Sequence, residues 1–114
     1  MSEELLVREA KRRAEVFRNL PEYLKLIRDT VLRLDENAEI YLFGSVAEGR
    51  SLLSSDIDIL VVTNLPPPKI LAELWKAGIE DPFEIHVIDG RSLEAYKRRA
   101  KLVPIQDAIR LTKS

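Results

Sequence analysis

The stretch FGSVAEGRSLLSSDIDILVV, Phe43 to Val62, holds two of the chain's four glycines, a serine-rich segment, and two aspartates separated by one isoleucine. Its second half, Asp56 to Thr63, is almost continuously apolar after the second aspartate, the pattern of a central strand covered on both faces. The acids stand at one end only. Successive strand side chains point to opposite faces, so Asp56 and Asp58 share a face, with Cα atoms about 6 to 7 Å apart and carboxylates able to converge. Two like charges that close repel, and each loses hydration on burial. A divalent cation such as Mg²⁺ relieves the repulsion, because it takes oxygen ligands, and two metals about 3.5 to 4 Å apart can be bridged by carboxylates so disposed. The plainer alternative is a pair of strand-end aspartates that reach water or accept from backbone N–H groups of the preceding turn.

Upstream, Ala38 to Phe43 (AEIYLF) is rich in β-formers and runs into Gly44, which marks a strand feeding a tight turn. A glycine at that place lets a ligand approach the backbone, and a short helix beginning at Ser45 presents free N–H groups and a hydroxyl to an anion. Gly49 then bends the chain away, and the serine-rich segment returns it to the aspartates. Gly-Ser after a strand is common in any turn. The ordering strand, Gly-Ser, short helix, serine-rich loop, Asp-Ile-Asp strand is much rarer.

Farther out, Leu6, Ala10, Ala14 and Phe17 recur at steps of three and four, which predicts an amphipathic helix over 3–19. Asn19 and Pro21 read as the cap and first turn of a second helix that runs to about Asp35. Pro66 to Pro68 stop the Asp-Ile-Asp strand and open a helix with Ile70, Leu71, Leu74 and Trp75 on one stripe, closed by Gly78. Pro82 to Ile88 (PFEIHVI) reads as a third strand, with Phe83, Ile85 and Val87 on one face and Glu84, His86 and Ile88 on the other. A last helix is predicted from Ser92 to about Ala100, and the tail reads as a short edge strand over 102–105 followed by a helical turn over 106–111.

The 114 residues read as one domain, 1–114, with no internal repeat or linker. The absence of cysteine removes disulfides and thiolate metal sites, and a single histidine removes clusters built on several, so metal ligands are expected to be oxygens. No apolar run approaches the roughly 18 residues of a bilayer span, and the N-terminus is charged from its third residue, so a cytoplasmic location without membrane contact is the expectation. The net charge of −1 hides an acidic middle: residues 34–90 carry eleven acids against three bases, while 91–114 carry seven bases against two acids. That balance argues against an extended nucleic-acid footprint.

The motif GSVAEGRSLLSSDIDILVV resembles the signature of the DNA polymerase β-type nucleotidyltransferase superfamily, and in particular its minimal (MNT) branch, whose members usually pair with a HEPN-domain protein. The resemblance covers roughly Ile40 to Ile88. It implies an α/β (α+β) fold, a mixed sheet with helices packed against it, and transfer of a nucleoside monophosphate from a triphosphate with Mg²⁺. Residue by residue, Gly44 and Ser45 match the triphosphate-binding pair, and Asp56 and Asp58 match the metal-binding acids. Glu84, flanked by Phe83 and Ile85, is the candidate third acid, where aspartate is common in the family. The implied chemistry is a two-metal Mg²⁺ site using ATP as substrate. Glu48 departs from the pattern, since relatives often carry a base there, and Arg50 is the candidate to compensate beside the phosphates. His86, on the face of Glu84, reads either as a substrate or proton group or as a hydrogen-bonded structural residue.

The resemblance further implies an antitoxin that modifies a hydroxyl on a HEPN-domain partner, with a homodimer left open. The competing expectation is a nucleotidyltransferase-fold binding module that neutralises such a partner by contact, without turnover.

Overall fold

A computed structural model of the chain describes residues 2–50 and 56–113. The serine-rich return loop, 51–55, lies outside the described residues. Helix α1 spans Glu3–Arg18, opened by the Ser2 hydroxyl, which accepts from the Leu5 N–H at 3.3 Å, with Glu3 and Glu4 at the positive end of the helix dipole. Helix α2 follows over Leu20–Leu34. The Asn19 side chain does not cap it: its Nδ2 donates back to the Glu15 carbonyl at 3.0 Å and so closes α1 instead.

The sheet has the order β3-β2-β1-β4. Strand β1 (Glu39–Phe43) lies antiparallel to β2 (Ile57–Val62), which is parallel to β3 (Phe83–Ile88). Helix α4 (Pro67–Lys76) makes the crossover that a parallel pair requires. The short helix α3 (Gly44–Ala47) follows β1 directly, as its glycine and serine predict. After β3 come a single 3-10 turn, Gly90–Ser92, and helix α5 (Leu93–Arg99). The tail forms the two-residue edge strand β4 (Val103–Pro104), paired with β1, and helix α6 (Ile105–Thr112), longer than the single turn expected. Proline is tolerated in β4 because that strand is at the edge.

Strand alternation divides the core in two. Ile40, Leu42, Ile57, Ile59 and Val61 face one side, where Val16, Leu24, Ile27, Ile70, Leu74 and Ile109 from four helices cover them. Leu60 and Val62 face the other, under Leu93 of α5, with Tyr41, Phe43, Ile88 and Tyr96 around them. Because β2 is covered on both sides, its apolar residues run without interruption.

Two predicted stripes are corrected. In α1 the fully buried residue is Val16, whereas Leu6 and Ala10 are exposed, since only the C-terminal half of the helix packs. In α4 the sheet takes Ile70 and Leu74, one i, i+4 pair, while Leu71 and Trp75, one position round the helix, face solvent.

Candidate active site

The register of the sheet assembles the site. Asp58 lies opposite Phe43 of β1 on one side and Glu84 of β3 on the other, and His86 follows two residues beyond Glu84 on the same face. One carboxylate oxygen each from Asp58 and Glu84 and one imidazole nitrogen of His86 lie within 4.8 Å of one another. His86 Nε2 sits 3.6 Å from Asp58 Oδ1 and 3.5 Å from Glu84 Oε1. That nitrogen is buried and, among the described residues, makes no well-formed hydrogen bond. The Phe43 ring meets the imidazole edge-on, with centroids 5.1 Å apart, and Tyr96 of α5 packs against Phe43 at 6.0 Å. The imidazole is thereby held between an aromatic wall and two acids.

Gly44 joins the turn to the acids. It has φ +78°, and a Cβ built on it would lie 2.2 Å from Asp58 Oδ2, so a side chain there is excluded both by conformation and by contact. The space expected to admit a ligand over this glycine holds the chain's own Asp58 carboxylate. Ser45 follows in the first turn of α3. Gly49, φ +79°, bends the chain out of α3 as the sequence predicts. Arg50 turns back over the same segment, its N–H donating to the Ser45 carbonyl at 2.8 Å and its Nη2 to Glu48 Oε1 at 3.3 Å. Arg50 and Glu48 thus form a direct ion pair.

Asp56 is placed differently from its neighbour. It precedes β2, half exposed, and its Oδ1 lies 3.7 Å from Arg13 Nη2 of α1. Arg13 also meets Asp81 Oδ2 at 3.4 Å, and Arg12 reaches Glu80 at 3.4 Å and the Asp81 carbonyl at 2.9 Å. Asp58 joins Glu84 and His86, while Asp56 stands outside that group and is approached by Arg13 of α1, its charge still acting on the Asp58 carboxyl. Sequence reasoning missed Arg13, because a contact between residues 13 and 56 leaves no local signal. His86 did leave one, its two-residue spacing from Glu84 on one strand face.

Burial pushes the Asp58 carboxyl above its ordinary range, and the Asp56 charge adds to the rise, while nearby His86 opposes it. A carboxylate under that strain, beside a second acid and an orphaned imidazole nitrogen, fits a divalent cation. The atoms gathered there are two carboxylate oxygens and one imidazole nitrogen.

Residues 24–110 match the sequence profile of the family described as nucleotidyltransferase domain. The chain belongs to the nucleotidyltransferase family. This nucleotidyltransferase domain is similar to the inactive non-canonical poly(A) RNA polymerase protein Trf4-2 of Drosophila melanogaster, 35% identical over 78 residues, which are 65% of this chain and 19% of that protein. The chain thus spans about a fifth of that curated relative's length. Among solved structures, a candidate nucleotidyltransferase from Sulfolobus solfataricus superposes with a TM-score of 0.57 at 26% identity, over 79% of this chain and 84% of that one. A second candidate nucleotidyltransferase gives 0.55 at 30% identity, over 70% and 94%. The expected α/β fold with a mixed sheet is the one these neighbours share. Among the described residues no helix is long and apolar enough to cross a membrane.

Proposed function

We propose that this domain transfers a nucleoside monophosphate, AMP from ATP, onto a hydroxyl of a protein partner, with Asp58 and Glu84 as its central acids. The observation that carries the reading is the pairing of Asp58 with Glu84 across β2 and β3, directly against the Gly44-Ser45 turn. Asp58, Glu84 and Asp56 are the residues that would hold Mg²⁺; when bound, the ion lowers the pKa of an attacking hydroxyl and offsets charge on the leaving group. In the transfer, the acceptor oxygen bonds to the α-phosphorus, the α-phosphorus to bridging-oxygen bond breaks, and pyrophosphate departs. Glu84, half exposed beside the partly buried Asp58 and His86, takes the acceptor's proton. Ser45 and the first turn of α3 orient the β- and γ-phosphates, and the Arg50 guanidinium, exposed beside Glu48, meets them from the far side of the turn. Asp56, half exposed, would have to leave its 3.7 Å approach to Arg13 to serve there.

A HEPN-domain protein is the proposed partner and acceptor, which would make this chain an antitoxin. The reading is supported by the family resemblance of the motif and by the exposed apolar residues Leu5, Leu6 and Val7 of α1, suited to a protein surface.

A second reading, a module that neutralises its partner by contact alone, is favoured by the engagement of Asp56 with Arg13 and by the inactivity named for the Drosophila relative. Labelled ATP, Mg²⁺ and a co-encoded HEPN-domain protein separate the two. Label on the partner that disappears with Asp58→Asn supports transfer. Unlabelled partner whose activity is nevertheless blocked by the chain supports contact.

A further inference from the structure

His86 is the residue of the acidic face that neither the sequence motif nor the transfer scheme employs. Its Nε2 is shielded from solvent and makes no well-formed hydrogen bond among the described residues, only the loose approaches of two carboxylates. It points between two carboxylates, at 3.5 and 3.6 Å. Ligand atoms about 2.0 to 2.2 Å from one ion lie about 3.0 Å apart at right angles and about 3.5 Å apart in a tetrahedron, so the two histidine separations are within a small closure of those of ligands sharing an ion. Asp56, the acid that an all-oxygen set would use, is instead turned to Arg13.

We propose that His86 Nε2 is the third protein ligand of the cation site, completing an Asp58–Glu84–His86 set that prefers a transition-series divalent ion such as Mn²⁺ over Mg²⁺. The proposal deepens the transferase reading, on which its biological meaning rests, but it concerns metal binding alone. The chemistry follows from the donor atoms. Mg²⁺ takes oxygen ligands in near-octahedral geometry and gives up water reluctantly, so a nitrogen donor adds little to its affinity. The first-row transition ions gain more from an imidazole nitrogen than Mg²⁺ does; Mn²⁺ is the most weakly bound of them and the nearest to Mg²⁺ in its liking for carboxylate oxygen, which makes it the conservative probe of the nitrogen donor. Phe43 serves as a positioning residue, since its edge-on packing fixes the plane in which the imidazole can turn. The competing account is an imidazolium that bridges the two acids as a purely structural ion pair, with no metal.

The single histidine of the chain makes the test direct. Tag-free protein is titrated with Mn²⁺ alone, without nucleotide, and examined by electron spin-echo envelope modulation, with ¹⁵N-labelled histidine as the control. The expected result is an imidazole-nitrogen modulation that changes on ¹⁵N-histidine labelling and is lost in His86→Gln, with a roughly tenfold weaker Mn²⁺ Kd in that variant. Asp58→Asn should weaken Mn²⁺ binding at least as much. His86→Asp, which restores an oxygen donor, should narrow the Mn²⁺-over-Mg²⁺ preference. Circular dichroism of each variant shows that it is folded. Mn²⁺ bound without histidine modulation, or no measurable Mn²⁺ binding, would overturn the assignment. Nitrogen-coupled Mn²⁺ together with no transfer to any acceptor would sustain the ligand set while removing the transferase reading. Transfer without nitrogen coupling would do the reverse.

Discussion

The two faces of the sheet are built from the same strands and put to opposite uses. On one, Ile57, Ile59 and Val61 are sealed beneath α1, α2, α4 and α6 in a continuous apolar cluster. On the other, Leu60 and Val62 share the surface with Asp58, Glu84 and His86 under the single helix α5. The first face supplies cohesion through buried apolar area. The second gives some of that up to hold polar groups in a partly desolvated place, and it carries the two most informative perturbed ionisations, those of Asp58 and Tyr41. The difference teaches that the thick face makes the thin one possible, since a half-buried acid persists only where the rest of the fold over-determines its position.

The sharpest way to break the comparison is on the sealed face. Ile59→Ala removes a fully buried side chain and should cost about 2 to 5 kcal/mol in urea unfolding, while Mn²⁺ affinity of the protein that remains folded stays close to normal. Gly44→Ala, on the thin face, should cost about 1 to 2 kcal/mol, because L-residues resist φ +78°. It should also weaken cation binding, because the new Cβ drives Asp58 Oδ2 from its place. Equal losses in both measurements for both variants would erase the distinction between the faces.

Asp58→Asn should act in the other direction on stability. The carboxyl's raised pKa means that burial disfavours its charged form, so the neutral amide should raise the apo melting temperature at pH 8 while metal-dependent transfer is lost. A lower melting temperature would show that His86 repays the acid's desolvation in full.

The smallest effect belongs to Tyr41. Burial, reinforced by donation to Glu39 Oε1 and by that residue's charge, pushes the phenol up to about 12. The unfolded phenol ionises near 10, so the folded state holds its proton longer. The stability it contributes should be complete below pH 10 and fall away as pH rises toward 12. Ultraviolet titration of the folded protein should show one tyrosine ionising at this high pH, and Glu39→Gln should bring it down.

The strand face and the turn that frame the candidate site could be read from the sequence, for identifiable reasons. The period of two in FEIHVI put Glu84 and His86 on one face, and Gly44 announced the sharp exit from β1. The stripe Ile70, Leu71, Leu74, Trp75 misled, because helical spacing defines an apolar sector without saying how much of it the sheet will cover. The approach of Arg13 to Asp56 could not be read for another reason: placement along a strand fixes the direction of a Cβ, not the partner a carboxylate will find.

Local chemistry along the chain determined the elements of this protein, their order, the family they belong to, and which side of each strand its acids occupy. Those properties follow from side-chain period and turn stereochemistry, which act over a few residues. Only the tertiary structure decided that Asp58 is shared with Glu84 and His86, that its carboxylate fills the gap left by Gly44, and that Asp56 answers to Arg13. Each of these joins residues far apart in sequence, where strand register and helix docking set the distances on which charge interactions depend.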